Sequence, residues 1–587
     1  MYKQIFHFLK PYKKETILAI VFLVLETILE ITVPFLMNFI LQNNLGINYG
    51  SDNIITNVNY PIVYSVGGVM IVCAILAFIF GIVGSKFTAI AGRGLGAELR
   101  KNEFKKKQNF SFKNLDNYRV DSLITRLTSD ITIIQDWFCQ SFRASLRSPT
   151  LLIFSLVLAF IISPYLGIIF LVAVPLLATL LIILIKIARP KFSKMQSIVD
   201  NLNRVTQESI IAIKTIKSYV KEDYEVEKFQ EVNSKLITTS SSAFSTISLN
   251  MPSIQLITYA TIIALLSFGA SFFSKGLIQD VSEISTFLSY IMQLLAALLM
   301  LSNVFMLTNR ASASLIRVIE VINTNSDIID GNSNKEITSG DITFNNVYFK
   351  YNEKASKYVL SDINYQIKNG SFVGIFGETG SGKTSFINLI ERFYDVSKGE
   401  LIIDNLNIKD YKINEIHDKI GICFQNPTLF SGSILDNLRW GNKDATMEEI
   451  IKACKITCCY DFIINNLSNG FDTQISQDGI NISGGQRQRI CLARALLKNP
   501  KILILDDSFS ALDYITETKI KENLRKLKNI TIIIISQKIN SIKDADDIVV
   551  LKEGRILNHG NHNYLMQNNE IYSNTYRIQN EGVLNEK

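Results

Sequence analysis

Cysteine is sparse in this chain of 587 residues, and an excess of basic charge is missing from one half of it. The seven cysteines are odd in number and scattered, and five of them lie beyond Asp330. The run Cys454-x-x-x-Cys458-Cys459 would set Cys454 and Cys458 on one helical face, but no two further ligands follow nearby. Neither a disulfide framework nor a zinc module is expected from such spacing. The net charge is +7, yet beyond Asp330 Lys and Arg number 31 against 31 Asp and Glu, while the excess of 29 over 22 lies before it. Binding to nucleic acid would call for a basic patch on the soluble part, so no nucleic-acid partner is expected. No internal repeat is visible.

Long apolar runs are what the chain has in plenty. Hydrophobic residues make up 48% of it, and six runs stand out, at 17–40, 62–84, 148–162, 166–187, 254–273 and 284–307. Most reach the roughly 20 residues that cross about 30 Å of hydrocarbon; the third is short unless it begins upstream near Trp137. Six membrane spans are expected. The first run is no cleaved signal, because it is too long, contains Glu26 and Glu30, and lacks a small-x-small exit. The loops expected outside, 41–60, 163–165 and 274–283, hold one basic residue, Lys275, whereas 86–147 and 186–235 are crowded with them. The positive-inside rule then puts both termini in the cytoplasm of a multi-pass cell-membrane protein.

Glu26 and Glu30 share one helix face near the middle of the first span. Carboxylates in lipid are costly and face a cavity or a partner group. Pairing across helices and binding of a cationic substrate are both open readings, as is a different placement of the span.

Polar stretches of about 50 to 60 residues follow the second and fourth runs, too long for plain loops. Leu123, Leu127, Ile131 and Ile134 recur at helical spacing within one, and Val205, Ile210, Ile213 and Ile216 within the other. The spacing predicts helices that run out of the bilayer, with contact elements around Phe112–Asn117 and 211–215 at their tips. Residues 323–340 are rich in Asn, Ser, Asp and Gly and read as a linker. Beyond them short β-branched runs alternate with helical segments, which predicts an α/β domain with a largely parallel sheet. The expected division is 1–322, an α-helical six-span membrane domain; 323–340, a linker; and 341–587, an α/β nucleotide-binding domain.

Gly377-Glu378-Thr379-Gly380-Ser381-Gly382-Lys383-Thr384 has the P-loop form, between the apolar run 372–376 and a helical run from Ser385. On a strand-to-helix turn, glycine backbone N–H groups and the helix N-terminus cradle phosphate, Lys383 reaches the β and γ phosphates, and Thr384 ligates Mg²⁺. Ile502-Leu-Ile-Leu-Asp506 reads as a buried strand that delivers a magnesium-linked carboxylate to the sheet edge. ATP and Mg²⁺ are the expected cofactors. Only one such set of motifs is present, so a symmetric path would need a second chain.

Between these motifs Asn481-Ile-Ser483-Gly484-Gly485-Gln486 resembles the signature of the ATP-binding-cassette (ABC) family, with Ile482 in place of its usual leucine. The resemblance spans nearly the whole chain, since the first half looks like the six-helix domain of ABC exporters. It implies an α/β P-loop domain with the family's helical subdomain. It also implies that Tyr351 stacks on adenine, that Gln425 links Mg²⁺ to the membrane helices, and that Ser510 and Asp513 lie in a loop crossing a dimer interface. Ser483, Gly484, Gly485 and Gln486 would close over ATP held by another subunit.

Two positions depart from that family. Asp507 stands where it usually has a glutamate, and Gln537 where it usually has a histidine. Asp507 is one methylene shorter, and a misplacement of about 1 Å can cost on the order of 10²-fold in rate; Gln537 cannot carry an imidazolium charge. Ser476-Gln477-Asp478-Gly479 likewise replaces the frequent Gly-Glu-Arg-Gly. The pattern resembles the degenerate-site subunit of heterodimeric bacterial multidrug ABC exporters. The expectation is a half-transporter that binds ATP, hydrolyses it poorly at its own site, completes a partner's competent site, and exports small amphipathic or hydrophobic compounds. A lipid flippase, a slow homodimeric exporter, and a membrane sensor switched by ATP are the alternatives.

Overall fold

The computed structural model describes residues 5, 7–44, 60–278 and 280–584. Most of the outer loop expected at 41–60, residues 45–59, therefore lies outside the described residues. The described residues form two compact units, one within Met1–Gln108 and Val120–Thr324, the other within Asn109–Arg119 and Asn325–Lys587.

The first unit is helical. Six stretches are long and apolar enough to cross a membrane: Lys10–Gln42, Tyr60–Gln108, Val120–Ile162, Pro164–Ile211, Glu222–Ser274 and Ser282–Asn323. The third apolar run belongs to a helix of 32 residues, Ile131–Ile162, and so does begin upstream of Trp137. A helix such as Tyr60–Gln108, with 49 residues, is over 70 Å long at about 1.5 Å per residue, more than twice the hydrocarbon thickness. The polar stretches are thus continuations of the membrane helices.

Small residues set how closely these helices approach, as expected in lipid. A Cβ added at Gly84 would meet Leu23 Cδ2 at 3.0 Å, and one at Gly81 would meet Glu26 Oε1 at 3.0 Å. The absent side chain at Gly81 is what leaves room for that carboxylate. Further along the bundle, the π-helical turn Arg126–Asp130 is tied to the last helix. The buried Asp130 accepts from Arg317 at 2.6 and 2.8 Å and from Ser314 at 2.8 Å.

The second unit is the α/β domain. Its central sheet runs Arg555–Gly560, Asp547–Lys552, Phe372–Gly377, Thr531–Ser536, Ile502–Asp506, Ile420–Cys423. All neighbours are parallel except the first pair. Phe372–Gly377, Ile502–Asp506 and Thr531–Ser536 are buried along their whole length, as strands covered on both faces must be.

A second, antiparallel sheet runs Leu360–Ile367, Ile342–Phe349, Lys398–Ile403, Leu406–Asn407. The reading of one largely parallel sheet overlooked it. Ile342–Phe349 and Leu360–Ile367 are joined by a short loop without a helix, a connection open only to antiparallel neighbours.

Residues 323–340 are less of a free tether than their composition suggests. Ile337 is buried in the domain core, and Gly331 N donates to Tyr411 O at 3.0 Å. The buried Asp404 accepts from the backbone N–H groups of Thr338, Ser339, Gly340 and Asp341 at 2.7 to 3.0 Å.

Of the two expected tip elements, Phe112–Asn117 is a helix capped by Ser111 and Asn114. It belongs to the α/β unit, where Phe112 lies 4.3 Å from Phe393 between ring centroids. The other, Ile213–Ser218, stands in the helical unit with Ile211, Ile213, Tyr219 and Val220 exposed.

Candidate functional site

Parallel strands that leave one sheet edge side by side bring distant residues together. Phe372–Gly377 ends at the P-loop, and its neighbour Thr531–Ser536 pairs Ile535 with Asp506. Gln537 and Asp507 thus emerge next to each other. Cys423 pairs with Leu505, so Gln425, on a bend two residues past that strand, emerges beside Asp506. One edge therefore collects Gly377–Thr384, Gln425, Asp506, Asp507 and Gln537.

Within the P-loop, Gly380 and Gly382 take φ of +83° and +101°, values open to glycine at little cost. A Cβ at Gly382 would also meet Leu360 Cδ2 at 2.8 Å. The helix Lys383–Ile390 starts directly behind. Lys383 is buried and donates to Gly377 O at 2.7 Å and Glu378 O at 2.8 Å. Burial pulls its pKa below the usual range, against the pull of Asp507, Asp506 and Glu378.

Asp506 is pushed up to about 6 by burial and by the neighbouring Asp507 charge, with Lys383 opposing. Ser381 Oγ is buried without a hydrogen-bond partner. A carboxyl short of positive charge, an unpartnered hydroxyl and an open glycine turn fit a magnesium-bound triphosphate, and Lys383, Thr384, Asp506 and Gln425 are the residues that would hold it. Such an ion supplies charge neutralisation for phosphoryl transfer.

Asp507 has φ of +46°, a left-handed conformation that Asp and Asn adopt more readily than larger side chains. Its N–H donates to Ile535 O at 3.0 Å, and its own carbonyl accepts from Ser510 N at 3.1 Å. Gln537 is solvent-exposed. Its backbone is held from the C-terminal helix Glu570–Leu584, where Gln579 donates to Gln537 O and accepts from Ile539 N, both at 2.9 Å.

Ser483 caps the helix Gly484–Leu497 in a reciprocal pairing with Gln486. A Cβ at Gly485 would meet Ala511 O at 2.7 Å, so this glycine is required by close approach. Gln488 fastens the same helix to the loop beyond, donating to Ser510 Oγ at 3.0 Å and accepting from Ala511 N at 3.1 Å. Asp513 caps Tyr514–Arg525 through Thr516 N at 2.9 Å. Among the described residues, none of the signature turn's hydrogen bonds goes to the P-loop of the same chain.

Tyr351 is partly exposed, with its hydroxyl 2.9 Å from Ser385 Oγ. In the helical unit, Arg143 donates to Glu26 Oε1 at 2.9 Å and Arg147 to Glu30 Oε2 at 2.5 Å, while Arg147 also lies 3.6 Å from Glu26. The two carboxylates are thus engaged by arginines one helical turn apart. Gln488, Gln579, Arg143 and Arg147 went unmarked in the sequence reading. Charge in the third span was the one available signal, and it named no partner.

These features define a class: a P-loop cassette with its own signature turn, on the same chain as six membrane-length helices. A family model described as ABC transporter transmembrane region matches residues 16–298, and one described as ABC transporter matches 360–510. An uncharacterized ABC transporter ATP-binding protein of Bacillus subtilis (strain 168), YfiB, is 33% identical over 97% of this chain and 97% of its own length. The ATP-dependent lipid A-core flippase of Haemophilus influenzae (strain 86-028NP) is 27% identical over 99% of this chain and 97% of its own. The chain belongs to the ABC transporter family. Its fold is similar to that of a bacterial Atm1-family ABC exporter solved with ATP bound, with a TM-score of 0.81 and 22% identity over 97% of this chain and 99% of that one.

Proposed function

We propose that this chain is one half of an ATP-driven exporter of small amphipathic or hydrophobic compounds, working with a second, different half-transporter. Both termini and the cassette lie in the cytoplasm. The P-loop from Gly377 to Thr384 holds the triphosphate, Tyr351 stacks on adenine, and Thr384, Gln425 and Asp506 hold Mg²⁺. Ser483 to Gln486 complete the partner's site, with Ser510 and Asp513 at the interface between cassettes.

The observation that carries the unequal pair is the edge where Asp507 and Gln537 emerge together beside Asp506. Asp507 has the charge to orient water but not the reach, and Gln537 has hydrogen bonds but no positive charge. Binding groups are intact while hydrolytic groups are weakened. A second chain is further supported by two unfilled features: the apolar tip around Ile213–Ser218, and a cassette cleft of about 460 Å³ lined by Phe424, Phe430 and Trp440. The partner's tip would fill that cleft.

ATPase activity of the chain alone and with its coexpressed partner, in lipid nanodiscs, tests this reading. Expected is activity in the pair only, lost when the partner's catalytic glutamate is replaced and spared by Asp507→Asn. Comparable activity alone, lost in Asp507→Asn, would instead mean a working homodimer. The Haemophilus relative's name favours lipid as a second substrate reading. Translocation of fluorescent phospholipid by the reconstituted pair separates it from export of soluble amphiphiles.

A further inference from the structure

The docked helix Phe112–Asn117 and the base-stacking tyrosine are joined by one side chain. Tyr394 is buried in a loop pinned by Arg392, which donates to Tyr411 O at 3.0 Å and Ile329 O at 2.8 Å. Its hydroxyl donates to Asp116 at 2.6 Å, and its ring lies 6.3 Å from Phe112. On the other side the ring meets Tyr351 at 5.0 Å and 89°, edge to face. Tyr351 is anchored in turn by Ser385 at 2.9 Å and Asn388 at 3.4 Å, both on the helix that begins with Lys383. The path thus runs Asp116 and Phe112, Tyr394, Tyr351, P-loop helix.

We propose that Tyr394 is a positioning residue that makes seating of the 112–117 helix depend on occupancy of the base site, and not on the phosphates alone. The inference rests on the assignment of Tyr351 to adenine. A base stacked on the open face of Tyr351 restricts that ring, and so the ring of Tyr394 packed on its edge. A restrained Tyr394 keeps its hydroxyl on Asp116. Segment 109–119 is continuous in sequence with two membrane-length helices, so base occupancy is passed to them by a path separate from Gln425. A triphosphate without a base fills the P-loop and leaves this path slack.

The test uses the full chain with its partner in lipid nanodiscs, carrying Asn117→Cys with the partly exposed Cys73, Cys139 and Cys458 replaced by serine. Maleimide labelling of position 117 is timed with saturating Mg-ATP or Mg-tripolyphosphate, and ATP affinity at this chain is read by displacement of 8-azido-ATP photolabelling. Expected is at least threefold slower labelling with ATP and no change with tripolyphosphate. Tyr394→Phe and Asp116→Ala should each remove the ATP effect and, by reciprocity, weaken ATP affinity by about the same factor as the lost protection and no more. Protection by tripolyphosphate equal to that by ATP, or protection retained in Tyr394→Phe, would overturn the proposal. Tyr351→Leu separates the two levels. Unchanged ATP affinity there removes the base-site assignment and this inference together, whereas weakened affinity with protection intact in Tyr394→Phe removes the inference alone.

Discussion

At the scale of single residues, the proposed weakness of this chain's own site comes down to one methylene and one ring. On that proposal Asp507 lacks the reach of a glutamate toward the attacking water, so Asp507→Glu with Gln537→His should raise turnover on the order of 10²-fold. Phosphate release by a pair whose partner glutamate is replaced measures it. Asp506 adds a pH dependence. Its pKa is raised from 3.8 to about 6, so the folded chain keeps a proton that the unfolded chain has already released. That proton's contribution to stability is present at low pH and lost as pH rises through about 6. Affinity for Mg²⁺ at the proposed site would run the other way, because a bound ion needs the carboxylate. Mg-dependent ATP binding should therefore weaken as pH falls below about 6, and Asp506→Asn should flatten the profile. The P-loop and Asp506 were legible because their residues are contiguous. The left-handed backbone at Asp507 and the Gln579 clamp on Gln537 were not, since each depends on a neighbour elsewhere in the chain.

At the scale of elements, charged side chains hold segments that propensity leaves undecided. Burial raises the pKa of Asp404, but the Ser339 hydroxyl and the N–H groups of 338–340 outweigh it and hold the carboxyl below its usual range. Its stabilising contribution is then present above that range and lost as pH falls through the depressed value. Asp404→Ala should cost about 2–4 kcal/mol of cassette stability, given the N–H groups left unpaired. Urea unfolding checks this, and the difference from the parent should shrink on acidification. In the membrane unit, Glu26→Gln with Glu30→Gln strands Arg143 and Arg147 in a low-dielectric bundle, and breaking such pairs is destabilising. A lower thermal midpoint and yield in nanodiscs are expected. Unchanged stability with loss of stimulation by a cationic substrate would favour the substrate-binding reading instead. The six spans were legible from run length alone; the arginine partners were not, because pairing lies between helices.

At the scale of the whole molecule, the signature turn makes no hydrogen bond to the P-loop of its own chain among the described residues, in keeping with the proposal that it serves a partner's site. Gly485→Ala sets a Cβ against Ala511 O at 2.7 Å and should slow the pair at least about tenfold, since small displacements of catalytic groups are costly. Photolabelling of this chain's own P-loop by 8-azido-ATP should persist. The sequence by itself determined the six spans, the α/β cassette, the P-loop and its two departures, because apolar length and contiguous motifs need no folding to be read. Only the tertiary structure decided that Glu26 meets an arginine 117 positions away, that Asp116 meets Tyr394 278 positions on, and that the 112–117 helix belongs with the cassette. Such contacts depend on where chain folding brings distant segments, and no local pattern of residues encodes that address.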